Sequence, residues 1–208
     1  MGVQAMGPTT TESPRSKRNV ILKAAVENFG SVGYEHTKWA TIAGEVGIGQ
    51  TALYHYFESK AHCLLTIMSA ELTRSHERFT VAVEGVGDAE TALRAAIASA
   101  YGITDTEALQ ARILRNQIGM LATPRSSERE EQERVRAREL VRVVESDWTG
   151  LLERGMDSGE FPRRDPVELG RFVLGLMNSV WNWYRPGGSR ALSEVSESVT
   201  GACVRLVH

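Results

Sequence analysis

Apolar residues recur at three- and four-residue steps along most of this chain, and nowhere do they alternate with period two as in a half-buried strand. Ile21, Leu22, Ala25, Val26 and Phe29 form one such stripe between Arg18 and Val32, closed by Gly30 or Gly33. A short helix opening near Thr37, as its cap, and a second over about Gly49 to Tyr56 follow. Ser59 is a cap residue for a long helix to about Val83, with Leu64, Leu65, Met68, Leu72 and Phe79 on its apolar side. Gly85 and Gly87 end it, and Asp88 caps a helix to about Tyr101. Thr104-x-x-Glu107 is a capping box for a helix running to the Pro124 break, and Ser127-x-x-Glu130 opens another to about Met156. Asp165-Pro166-x-Glu168 combines a cap, a proline in the first turn and an acid at the positive dipole end. That helix stops at Pro186-Gly187-Gly188, and a last stripe runs from Leu192 to Leu206. The pattern predicts an all-α protein of about nine helices.

The stretch from Thr37 to Lys60 carries the most information. Ala43 is small where two helices must touch, and Gly47 suits a chain leaving a helix at positive φ. Ile42, Val46, Ile48 and Leu53 would pin the two helices at a steep angle, which is a helix-turn-helix. Its second helix carries Gln50, Thr51, Tyr54, His55 and Tyr56. Gln50, Thr51 and His55 are candidates for base edges, Thr37, Tyr54, Tyr56 and Lys60 for phosphates, and Lys38 for a further DNA contact. Trp39 fits a core position or, less readily, a base stacker. Arg15, Lys17 and Arg18 fit a solvated helix start and a basic arm equally.

Charge changes this picture little. The chain of 208 residues has net charge −2, with +1 over residues 1–62 and −3 over the rest, and all four lysines in the first part. A weakly charged reader needs a second copy to gather enough phosphate contacts. Cys63 and Cys203 stand alone, without metal-ligand spacing, which suits a reduced, cytoplasmic protein; Cys63 is also a candidate redox switch. The apolar run Val167–Tyr184 is broken by Glu168, Arg171, Asn178 and Asn182, so no membrane span is expected. No nucleotide loop, nucleophile elbow or metal-binding helix is present, so neither enzyme chemistry, a cofactor nor a metal is expected.

Taken together, Ala24, Ala25, Phe29, Gly33, Tyr34, Thr37, Ile42, Ala43, Gly47, Leu53, Tyr54, Tyr56, Phe57, Ser59 and Lys60 resemble the DNA-binding domain of the TetR family of bacterial transcriptional regulators. Lys38, Trp39 and His62 depart from the family pattern. The resemblance covers about a quarter of the chain. It implies a tail over 1–13, an N-terminal three-helix DNA-binding domain over 14–60 and a larger ligand-binding and dimerisation domain over 61–208.

The resemblance also implies a homodimer, a double-stranded DNA operator and a small-molecule effector whose binding releases the DNA. The last two helices would pair with their copies through Phe172, Val173, Leu176, Val180, Leu192, Val195, Val199 and Leu206, with Gly170 and Gly175 allowing close approach. The pocket candidates are Arg112, Arg115, Asn116, Met120, Trp148, Asn178, Asn182 and Arg185. Asn178 and Asn182, one turn apart in an apolar helix, fit a ligand contact and a dimer hydrogen bond equally. The ending Asn182-Trp183-Tyr184-Arg185-Pro186-Gly187-Gly188 resembles TetR members that sense acyl-CoA thioesters, which makes an acyl-CoA a candidate effector. The competing reading is an all-α sensor or docking protein that does not bind DNA.

Overall fold

Local capping chemistry decides where these helices begin. The structure, a computed structural model, describes residues 14–208, and all its regular elements there are helical. They are α1 (Pro14–Ser31), α2 (Trp39–Glu45), α3 (Gln50–Tyr56), α4 (Lys60–Val83), α5 (Ala89–Tyr101), α6 (Asp105–Gln117), α7 (Glu128–Asp157), α8 (Pro166–Trp183) and α9 (Leu192–Val207), with a short 3-10 helix at Ile118–Ala122. Ser59 accepts from the His62 amide at 2.9 Å, Asp88 from Thr91 at 2.7 Å and Asp165 from Val167 at 2.9 Å. Thr104 and Glu107 close the expected capping box. The expected tail, residues 1–13, lies outside the described residues.

Two boundaries differ from expectation. Thr37 does not cap α2: Lys38 occupies that place, and the Thr37 hydroxyl donates to the Gly33 carbonyl at 2.8 Å. The helix opened by Thr104 ends at Gln117 and tightens into the 3-10 turn well before Pro124.

The buried side chains fall into two clusters. One holds α1–α3 and then continues, past residue 60, through Cys63, Leu64, Leu65, Met68 and Leu72 of α4 to Ile113, Leu121 and Ala137. The other joins α5, the second half of α7, α8 and α9. α4 runs along α7 and so belongs to both halves of the molecule. Gly30 lets α1 lie on α6, because a Cβ there would sit 2.9 Å from Leu109 Cδ2. No helix among the described residues is long and apolar enough to cross a membrane.

Candidate nucleic-acid interface and pocket

Behind α3, Leu53 and Phe57 are fully buried, and with Ile42 and Ala43 they lock the helix-turn-helix. Gly47 makes the turn at φ +66°, and the Ile48 amide returns to the Ala43 carbonyl at 3.0 Å. Opposite Leu53, the side chains of Gln50, Thr51, Tyr54 and His55 are exposed on a single face. Lys38, at the start of α2, is exposed, whereas Tyr56 is half-buried and packs on the core. Trp39 is also a core residue, edge-on to Phe57 at 6.4 Å, although its Nε1 is buried without an acceptor.

Thr37 and Lys60 are placed differently from the sequence expectation. Thr37 is only 5% exposed, and its hydroxyl is engaged inside the chain. Lys60 Nζ donates to the carbonyls of Tyr34 at 2.7 Å and Thr37 at 3.0 Å and lies 4.3 Å from the Tyr34 ring centre. The turn between α1 and α2 brings those acceptors to the ammonium, so Lys60 holds the loop in place. Lys60→Ala is expected to lower stability by about 1–2 kcal/mol, the scale of charged hydrogen bonds plus a cation–π contact. Affinity for specific and random duplexes should fall alike, with the salt slope changing by much less than the ~0.9 of one phosphate contact; salt-titrated anisotropy checks this. The basic run is folded back in the same way: Lys17 Nζ reaches the Val46 carbonyl at 3.1 Å, and the Arg18 guanidinium lies 4.5 Å from the Phe57 ring centre. Arg15 is exposed.

The head is tied to the rest of the chain where two helix starts meet. Ser59, the α4 cap, donates to Glu130 at 2.5 Å, and Ser127, the α7 cap, donates to Glu58. Each carboxylate lies at the positive end of a helix dipole. Further along α4, Ser69 donates to Glu133 of α7 at 3.1 Å. Cys63, next to this junction, is fully buried, and burial pushes its thiol pKa up, so it has no thiolate character for a redox role.

Between α4, α5, α6, α7 and α8 lies a cavity of about 310 Å³, with mainly apolar walls that include Leu72, Leu114, Val144, Trp148 and Trp181. Of the sequence candidates, Arg115, Trp148 and Asn178 line it. Arg112 and Asn116 instead line a small cleft against the end of α1. Burial, and secondly the neighbouring Arg185, hold the Arg112 pKa below its ordinary value. Met120 packs on the head cluster, and Asn182 and Arg185 are exposed outside the cavity. Neither asparagine is a buried amide, because α8 turns that side to the surface.

Sequence reasoning missed the polar wall. Glu71, Ser75 and Arg78 line the cavity at i, i+4 and i+7, a single face of α4. Arg171 of α8 and Glu145 of α7 also line it. Glu71 is 3% exposed and bound at 2.9 Å by both Arg74 and Arg78, yet its burial outweighs their pull and raises its pKa. A polar stripe beside the apolar stripe of α4 was the available signal.

Half of the expected dimer residues are placed elsewhere. Val173, Val180, Val195 and Val199 are 0–8% exposed in the core of their own chain, where α8, α9 and α5 meet. Gly170 also faces inward, with Thr149 Oγ1 3.3 Å from a Cβ built on it. Leu176, Leu192 and Leu206 are half-buried against that core. Phe172 is 54% exposed, and Trp183, not among the expected dimer residues, is 51% exposed.

Two family models match the chain: "Bacterial regulatory proteins, tetR family" over residues 21–67, and "Tetracyclin repressor-like, C-terminal domain" over residues 86–207. The transcriptional repressor KstR2 of Rhodococcus jostii is 27% identical over 90% of this chain and 89% of its own. The structure of the TetR-family regulator PfmR from Thermus thermophilus superposes with a TM-score of 0.77 at 27% identity, covering 89% of this chain and 97% of that one. FadR of Bacillus subtilis, solved with stearoyl-CoA, has the same fold, with a TM-score of 0.72 at 21% identity over 91% of this chain and 99% of its own. With a helix-turn-helix presenting four polar side chains, a helical body enclosing a cavity and family matches over both parts, the chain belongs to the TetR family of bacterial regulatory proteins: it is a ligand-responsive DNA-binding transcriptional regulator and not an enzyme.

Proposed function

We propose that this protein acts as a homodimeric repressor, holding an operator through Gln50, Thr51, Tyr54 and His55, and that a small molecule in the α4–α8 cavity releases it. The observation that carries the reading is the exposure of those four polar side chains on the face of α3 opposite the fully buried Leu53. Amides, hydroxyls and imidazoles on such a face suit base edges and phosphates of a major groove. Lys38, at the start of α2, adds an exposed cation to the same domain. Operator binding implies residence with the chromosome, in the cytoplasm.

Dimerisation is supported by Phe172 and Trp183, two exposed aromatics eleven residues apart on one side of α8. Such exposed aromatics are typical interface anchors. Leu176 lies between them on the same face, and two copies would double the phosphate contacts of a weakly charged head. The effector is proposed to be an acyl-CoA thioester. An apolar cavity with Arg115 and Arg171 in its wall suits an acyl chain attached to an anionic group. The stearoyl-CoA in the FadR structure supports the same class. Release requires the ligand to bind better to the DNA-incompetent arrangement, since equal affinity shifts nothing.

Fluorescence anisotropy on duplexes recovered by genome-fragment selection, against a scrambled control, tests the reading. Tight, sequence-dependent binding that falls steeply with salt is expected. Gln50→Ala should cost about 1–3 kcal/mol on the selected duplex and almost nothing on the scrambled one. Equal losses on both would mean that Gln50 reads no base.

A further inference from the structure

Only Phe57, Glu58 and Ser59 separate α3, with its exposed polar face, from α4, so whatever fixes this link fixes the angle at which the helix-turn-helix leaves the body. Phe57 anchors the link inward, with no solvent exposure. Glu58 and Ser59 anchor it to α7. The Ser59 hydroxyl accepts from the His62 amide at 2.9 Å and donates to Glu130 at 2.5 Å. The Ser127 hydroxyl accepts from the Glu130 amide at 3.4 Å and donates to Glu58. Each serine therefore caps its own helix and gives its single proton to a carboxylate on the other side of the junction.

This reciprocal pair demands one register. α4 and α7 run parallel, and the offset of 71 residues at Ser59–Glu130 recurs at His76–Asp147, which meet at 2.7 Å. The second contact lies roughly 26 Å further along, at 1.5 Å per residue. The shared apolar core holds head and body together but is non-directional, whereas a hydrogen bond weakens steeply once its angle is lost. The two serine–carboxylate bonds supply the rotational constraint on the link.

From this arrangement, and resting on the homodimeric operator reading above, we propose that Glu58 and Glu130 are positioning residues: they hold each head at a fixed angle and so set the half-site spacing that the dimer accepts. Neither carboxylate needs to touch DNA for this. Once one head is bound, the second contact is intramolecular, and its strength depends on how often the second head already points at its half-site. Held heads serve one spacing well; released heads serve several poorly. One inserted base pair turns the second half-site by about 35° and moves it about 3.4 Å, which a held head cannot follow.

The test uses the full-length protein and fluorescence anisotropy on the selected duplex and on the same duplex with one base pair inserted at its dyad. The parent should lose about 100-fold in affinity on the insertion, the scale of a lost second contact. Glu58→Ala and Glu130→Ala should each reduce that ratio to about tenfold or less. Both leave the serine caps in place, and the Glu58 amide keeps its bond to His62 Nδ1 at 3.4 Å. Removing a negative charge changes affinity for both duplexes alike, so the ratio reads geometry. Either variant decides the matter if the other does not fold. Asp165→Ala, which removes the α8 cap, controls for lowered stability and should keep the parent's ratio. A parent-like ratio in either folded carboxylate variant, the same fall in Asp165→Ala, or a parent dimer that tolerates the insertion overturns the proposal and leaves the repressor reading intact. If the parent binds the selected duplex as a monomer, the homodimer reading falls and the proposal with it.

Discussion

Phe57→Ala should destabilise the protein by about 3–5 kcal/mol and abolish operator binding. Phe57 has no solvent exposure, and three side chains from separate parts of the head converge on its ring. Trp39 of α2 meets it edge-on at 6.4 Å, His62 of α4 at 5.6 Å, and Arg18 of α1 lies over its face at 4.5 Å. Removing the ring opens a cavity at the point where all the helices that orient α3 meet. It also removes the apolar surroundings that hold the His62 pKa down, burial being the leading cause of that shift. A loss of this size is a large fraction of a typical folding stability. Urea denaturation followed by circular dichroism measures it. Tyr54→Ala is the control: Tyr54 is 46% exposed, so it should weaken DNA binding with little change in stability. If Phe57→Ala kept the stability of the parent but lost the operator, Phe57 would be a DNA contact and not a structural hub.

Gly155→Ala should have a comparable effect in the other core cluster, about 3 kcal/mol, at the upper end for overpacking. A Cβ at Gly155 would stand 2.2 and 2.4 Å from two ring carbons of Phe161 and 2.9 Å from Ala89 Cβ. Phe161 cannot swing away freely: its amide donates to the Gly155 carbonyl at 2.9 Å, its ring is 2% exposed, and His208 stands edge-on to it at 5.5 Å. Phe161→Leu in the same chain should recover part of the loss, with a coupling of about 1 kcal/mol or more in a double-mutant cycle. Simple additivity would mean that the ring is not the obstacle. Because this site is far from the head along the chain, operator affinity should follow the folded fraction only.

Much of the fold was legible because the signals are local. Ser59, Asp88, Thr104, Ser127 and Asp165 each bond to a backbone amide two or three residues away, so the sequence near each helix start contains both partners. The same holds for Gly47, whose turn needs only its own freedom at positive φ. The exposed face of α3 was legible too, since a single buried Leu53 in a short helix sends Gln50, Thr51, Tyr54 and His55 to the opposite side.

What sequence alone determined is therefore the all-α class, the helix starts other than that of α2, the helix-turn-helix and its outward face, all set by interactions within one helical turn or by periodicity. What only the tertiary structure decided is which groups remain available. Thr37 and Lys60 bond to carbonyls that a turn brings to them, although those acceptors lie up to 26 residues away in sequence. Val173 and Val180 lie on the same apolar stripe as Phe172, but packing against α9 and α5 buries the valines and leaves the phenylalanine exposed. Glu71, Ser75 and Arg78 read as the solvated side of a long helix until α6, α7 and α8 close around them. Periodicity identifies a face of a helix; only the neighbouring elements determine whether that face meets core, cavity or solvent.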